Sequence, residues 1–150
     1  MKRRGRHETL ERGSAVIEFV ALGMLLLLPV AYLVLVLGRV QAASFAAGGA
    51  VREATRAFVT ADDDEAARER AARVTELALQ DHGFRTDEGK LDISCNRSPC
   101  LTSGGQVMVE VQIEARFPWL PTGFAEAVRA HVVVRADQVE TVDRFRDFGS

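Results

Sequence analysis

The strongest pattern in the sequence is an uncharged, apolar run near its N-terminus. From Phe19 to Gly38 there are 20 consecutive residues without a charge, and most of them are Leu or Val. A helix needs about 20 apolar residues to cross the hydrocarbon core of a bilayer. The run therefore predicts a membrane-spanning helix, which we place at residues 14–38, with Pro29 inside it as membrane helices tolerate.

The helix is expected to continue beyond the membrane through a segment rich in small residues, Val40–Thr60. Gly48 and Gly49 weaken a helix by about 1 kcal/mol each, but the many alanines favour it. Helical spacing of three and four residues places small side chains on one face: Ala43, Ala47 and Ala50. This face is either a contact stripe for neighbouring subunits or a surface that packs against the chain's own globular part.

A second helix is predicted from Glu65 to Asp81, with Gly83 ending it. Asp62 or Asp63 is its N-cap, and Asp62 with Glu65 has the three-residue spacing of a capping box. The small and apolar residues at helical spacing form its predicted buried face: Ala67, Ala71, Val74 and Ala78.

Beyond Gly83 the hydrophobic period changes to two, which is typical of strands. Three strands are predicted: Leu91–Ile93, Gln106–Phe117 and His131–Val139. The second is the clearest, because five apolar residues alternate with polar ones: Val107, Val109, Val111, Ile113 and Ala115. The third has three apolar residues on one face: Val132, Val134 and Ala136.

The remaining segments are shorter. Pro118 and Pro121 predict a turn, Gly123–Ala130 a short helix, and the charged tail from Glu140 contains Phe145 and Phe148. The predicted fold class is α+β: a long N-terminal transmembrane helix that continues into a domain, residues 39–150, with a second helix and an antiparallel sheet of about three strands. The sheet is expected to pack on the first helix, because it has one apolar face.

Charge is distributed unevenly along the chain. Residues 1–13 contain five basic and two acidic residues, whereas the remainder contains 14 basic and 19 acidic residues. Basic residues before a span place the N-terminus in the cytoplasm, so residues 39–150 are expected to be extracytoplasmic. No basic patch follows that would suit nucleic acid.

Glu18 breaks the apolar pattern at the start of the run. A charge at the bilayer centre costs roughly 2.5–3.5 kcal/mol. Glu18 lies nearer the interface, where the cost is smaller, but its carboxylate still requires a partner. The first 13 residues do not form a secretory signal peptide, because the apolar run would follow the cleavage site rather than precede it.

Cys95 and Cys100 lie five residues apart. If this part of the chain is exported, a disulfide that closes the short loop is the natural interpretation. Two free thiols or half of a metal site are the alternatives, although zinc requires four ligands and no further Cys or His cluster is near.

The spacing around Gly13 resembles the precursors of the type IV pilin class. A basic leader ends in Gly13, four mostly apolar residues follow from Ser14, and then come Glu18, Phe19 and the apolar helix. The resemblance implies that a prepilin peptidase removes residues 1–13. The new α-amino group, with a reference pKa of about 8, would then neutralise Glu18 of an adjacent subunit when the helices assemble.

A second resemblance covers residues 12 to about 59. The order of span, Gly-Arg, small residues and AVREATRAF is similar to the TadE-like proteins of the tight-adherence (Tad, or Flp) pilus. It implies a minor pilin or pseudopilin in the cell membrane or the extracellular pilus, which supports pilus biogenesis and adhesion or secretion. The implied partners are other pilin subunits, prepilin peptidase, the inner-membrane Tad assembly machinery and the lipid bilayer. The Glu-Phe pair departs from the Glu-Tyr of the major Flp pilins.

No catalytic constellation is recognisable in the sequence. His7, His82 and His131 are scattered, and no glycine-rich loop lies between a strand and a helix. We therefore expect no enzyme activity, no cofactor and no metal. The alternative to a pilin is an uncleaved, single-pass anchor whose extracytoplasmic domain binds a partner.

Overall fold

The computed structural model describes residues 8–117 and 131–144, and for residues 8–14 it describes the backbone alone. The predicted turn at Pro118–Pro121, the predicted helix Gly123–Ala130 and the aromatic residues Phe145 and Phe148 lie outside these ranges. Two helices and three strands follow in order: α1 (Glu8–Val59), α2 (Asp64–Asp81), β1 (Gly89–Cys95), β2 (Gln106–Arg116) and β3 (His131–Thr141). The predicted α+β class is confirmed.

The chain divides into two compact units, Met1–Leu37 and Gly38–Ser150. In the first unit α1 is helical through the apolar run, including Pro29. Between Val16 and Leu37, 15 large apolar side chains are between 49% and 78% exposed, and Tyr32 and Val36 are half-buried. Among the described residues α1 is the one helix long and apolar enough, by length and composition, to cross a membrane. A helix that is apolar on all sides is typical of a membrane span.

In the second unit α1 has one buried stripe. Its members recur at intervals of three and four residues and are at most 3% exposed: Ala43, Ala46, Ala47, Ala50, Val51, Ala54, Thr55 and Phe58. The Thr55 hydroxyl donates to the Val51 carbonyl at 2.6 Å, so its burial leaves no unpaired polar atom. The stripe forms one hydrophobic core together with α2 and the sheet.

Helix α2 begins after Asp63, which is one of the two residues predicted as its N-cap. The Asp63 carboxylate accepts from the backbone N–H groups of Glu65 and Ala66, so Asp63 is the N-cap. The predicted capping box with Asp62 is wrong, because Asp62 pairs with Arg70 instead at 2.9 Å. At the other end Gly83 adopts a φ of 71°, which favours glycine.

The buried face of α2 is rotated by one residue from the prediction. Ala67 and Ala71 are buried as expected, but Thr75 and Leu79 lie deeper than the predicted Val74 and Ala78, which are half-buried. Thr75 can be buried because its hydroxyl donates to the Ala71 carbonyl at 2.8 Å.

The sheet is antiparallel with the order β1-β2-β3. The predicted inward residues of β2 are all completely buried: Val107, Val109, Val111, Ile113 and Ala115. β1 and β3 are longer than predicted, and the chain remains ordered in the core beyond β3. Val142 is completely buried, and its N–H donates to the Gly105 carbonyl at 2.8 Å.

Candidate functional site

The predicted cleavage and assembly residues lie near the start of α1. Helix α1 begins at Glu8, so the Gly13–Ser14 peptide bond lies inside it rather than before it. Phe19 is 78% exposed, and Glu18 is exposed beside it. Both side chains are therefore on the surface of the first unit.

Among the described side chains of its own helix, from residue 15 onward, Glu18 has no cation within reach. The residues three and four positions away, which are the helix-surface neighbours, are uncharged: Ser14, Ala15, Ala21 and Leu22. Across residues 15–117 and 131–144 no side chain hydrogen bonds or pairs with this carboxylate.

The alanine stripe of α1 lies inside the protein. Ala43, Ala47 and Ala50 are each 0% exposed and belong to the core of the second unit. A fully covered side chain has no surface left for a neighbouring subunit. Of the two alternatives that the sequence leaves open, the structure therefore shows packing within the chain.

Arg39 directly follows the apolar run and makes contacts that its position in the sequence does not indicate. Its Nη1 donates to the Gly83 carbonyl at 3.1 Å, and its guanidinium carbon lies 4.0 Å from the centre of the Phe84 ring. Its Nη2 is 3.5 Å from Glu88 Oε2. Glu88 is only 6% exposed and also accepts from the Arg85 N–H at 2.9 Å. Arg39 thus fixes α1 to the connection between α2 and β1.

The cysteine pair fastens a second connection. Cys95 and Cys100 lie at disulfide distance, with Cα atoms 5.4 Å apart. The carboxylate of Asp64, the first residue of α2, accepts from the N–H groups of Cys100 at 2.8 Å and Leu101 at 3.1 Å. The loop between β1 and β2 is therefore held to α2 as well as to β1.

A cavity of about 620 Å³ lies beside this loop, with four acidic residues along one wall. Three of these carboxylates are already engaged: Asp62 with Arg70, Asp63 as the N-cap and Asp64 with the cysteine loop. Among the residues whose structure is described, no three His, Cys, Asp or Glu side chains are placed to hold a metal ion. These three carboxylates have structural contacts within the fold.

Comparison of the chain with protein-family models, with curated proteins and with solved structures gives no match. The class of protein is therefore defined by the structure itself. The chain is an α+β protein with a long apolar N-terminal helix, suited by length and composition to a membrane, and a small domain built on the second half of that helix.

Proposed function

We propose that this chain is a minor pilin or pseudopilin of the Tad (Flp) pilus class. In this proposal prepilin peptidase cleaves after Gly13, and the product assembles through its N-terminal helix. The observation that carries the proposal is the environment of Glu18. Its carboxylate is exposed at the start of the apolar run of α1, five residues after a glycine. It has no partner among the described side chains.

Cleavage supplies the missing partner. It creates an α-amino group on Ser14, which is largely cationic at neutral pH because its reference pKa is about 8. The amine of one subunit neutralises Glu18 of the next, so that neither charge remains alone in an apolar bundle. The 15 large apolar side chains exposed between Val16 and Leu37 then exchange contact with lipid for contact with neighbouring helices.

The position of the mature N-terminus tests cleavage directly. Protein is recovered from membranes and from sheared surface material of cells with an active prepilin peptidase, and its N-terminal peptides are identified by mass spectrometry. The expected peptide begins at Ser14. Peptides that retain Met1 or Lys2 in all fractions contradict processing.

The role of the Glu18 charge is tested by Glu18→Gln, which keeps the shape and removes the charge. The variant is expected to be inserted and cleaved normally but to fail in pilus assembly, measured as sheared surface protein. Glu53→Gln is the matched control, because Glu53 is an exposed carboxylate on the same helix. Normal assembly of Glu18→Gln contradicts the charge-pairing mechanism.

One observation favours the alternative of an uncleaved membrane anchor with an extracytoplasmic binding domain. Helix α1 runs through the Gly13–Ser14 bond without interruption, so residues 8–13 belong to the same helix as the span. The mass-spectrometric experiment separates the two functions, since an anchor of this kind retains its first 13 residues.

A further inference from the structure

Strand β3 forms an edge of the sheet. In the part of the chain that the structure describes, it borders β2 alone. The pairing runs without a bulge from Arg116 opposite His131 to Gln106 opposite Thr141. An edge strand presents unpaired backbone N–H and C=O groups, which proteins often protect with Pro or a bulge. β3 has neither, so its backbone is a template for a further strand.

The face of β3 that points away from the core has a symmetric order of side chains. Val133 is 40% exposed and Val139 50% exposed. Between them lie Arg135, whose side chain is 65% exposed, and Asp137. The order apolar, cationic, anionic, apolar is complementary to itself when it is read in the opposite direction.

We propose that two copies of this chain associate through antiparallel pairing of their β3 strands, centred on Ala136. Directly opposite residues of an antiparallel pair lie on the same face. In this register Arg135 of each copy lies opposite Asp137 of the other, and Val133 of each copy lies opposite Val139 of the other. The contact is two-fold symmetric, closed, and joins two three-stranded sheets into one.

The charges select this register against its neighbours. Centring the pair on residue 135 places the two Arg135 side chains opposite each other. Centring it on residue 137 does the same for the two Asp137 side chains. Like charges directly opposite are destabilising, so of these three registers the one centred on Ala136 pairs opposite charges.

An acidic row across the sheet supports a second copy as the occupant. Asp92, Glu110 and Asp137 lie directly opposite one another on the three strands. Glu110 accepts from Gln112 at 2.8 Å and lies 3.9 Å from Arg135 Nε. Among the described side chains, none pairs with Asp137. The partner strand places its Arg135 opposite Asp137, at the edge of the sheet. This cation relieves the repulsion among the three carboxylates.

The dimer does not depend on cleavage after Gly13, so its test is independent of the proposed function. Ala136→Cys is introduced into the full chain, which is treated with an oxidant in membranes and in mild detergent. The two Cα atoms are expected to be about 4.5–5.5 Å apart, which permits a disulfide. A covalent dimer is expected on a non-reducing gel.

Thr141→Cys is the matched control at the end of the same strand. In the proposed register the two Thr141 positions are about 34 Å apart, from 3.4 Å per residue, so this variant is expected not to cross-link with itself. A mixture of Thr141→Cys and His131→Cys chains is expected to cross-link, since these positions are opposite. Absence of the Ala136→Cys dimer, or an equal yield from Thr141→Cys alone, overturns the proposal.

Charge reversal tests the pairing without new cysteines. Arg135→Asp and Asp137→Arg each create two like-charge pairs and are expected to weaken the dimer at least about tenfold, measured by sedimentation in detergent. The double variant Arg135→Asp/Asp137→Arg is expected to restore it. Equal thermal melting of all variants shows that the fold is retained. A wild-type monomer, or a double variant as weak as the single ones, overturns the pairing.

Discussion

The two halves of helix α1 treat apolar side chains in opposite ways. Between Val16 and Leu37, 15 large apolar side chains, spread over all sides of the helix, are at least 49% exposed. Between Ala43 and Phe58 one stripe of the helix, most of it alanine, is almost completely buried, whereas Phe45 on another face is 71% exposed. Whether an apolar residue of α1 is buried therefore depends on how the apolar residues around it are spaced along the helix, and not on its own hydrophobicity alone.

The buried stripe also shows the effect of side-chain size. Alanine has little surface to bury, but it allows other elements of the second unit to come close to the helix backbone. Phe58 is the large exception, and it is 0% exposed among these small residues. It therefore contributes much of the apolar area that α1 adds to the core.

The largest expected loss of stability is at Phe58, and Phe45 on the same helix is the comparison. Phe58→Ala removes a completely buried ring and is expected to lower the free energy of unfolding by about 3–5 kcal/mol. Phe45→Ala is the control, because Phe45 is 71% exposed, and its effect is expected to be within about 0.5 kcal/mol. Urea unfolding of the full chain in mild detergent, followed by circular dichroism, measures both. Equal effects contradict the contrast between the two faces.

A charge in the first half of α1 tests the opposite environment. Leu27→Arg places a guanidinium in the apolar run and is expected to cost about 2.5–3.5 kcal/mol of insertion free energy. The fraction of protein that resists alkaline extraction from membranes is expected to fall. Leu27→Phe remains apolar and is expected to leave that fraction unchanged. Insertion of both variants to the same extent contradicts a membrane location of this helix.

The sequence predicts those features that depend on local patterns. The inward face of β2 from Val107 to Ala115 is determined by strict alternation, so it was predictable residue by residue. The long apolar helix was predictable because it requires only length and composition, and local capping narrowed the N-cap of α2 to Asp62 or Asp63. Side chains whose role depends on a distant partner were not predictable. Arg39 and Gly83 are 44 positions apart in the sequence, and no periodic pattern indicates that they are in contact.

Val142 shows the same limit at the end of the sheet. The segment from Glu140 onward is rich in charged residues, which predicts a charged tail. The burial of Val142 depends on the loop before β2, where Gly104 adopts a φ of 69° and donates to the Val142 carbonyl at 3.1 Å.

Arg39 provides a test with an intermediate effect. Arg39→Met keeps the length of the side chain but leaves the buried Glu88 carboxylate without its cation, and the expected loss of stability is about 1–3 kcal/mol. Arg52→Met is the control, because Arg52 is an exposed arginine on the same helix. Thermal unfolding of the detergent-solubilised chain measures the difference. Equal melting temperatures of the two variants contradict a structural role for Arg39.

The smallest expected effect distinguishes two adjacent carboxylates. Asp63→Ala removes the N-cap of α2 and is expected to cost about 1 kcal/mol. Asp62→Ala removes only an exposed ion pair with Arg70 and is expected to cost less than about 0.5 kcal/mol. Both are measured by urea unfolding. A larger effect at Asp62 than at Asp63 favours the capping box that the sequence predicts.

The contacts of Arg39 have a mechanical consequence. A tensile load carried by α1 reaches Arg39 first among the residues of the second unit that bind a distant segment. Its three contacts pass the force into the connection before β1, and thus into the hydrogen bonds of the sheet. The start of the domain is therefore held to a distant connection as well as to its own helix.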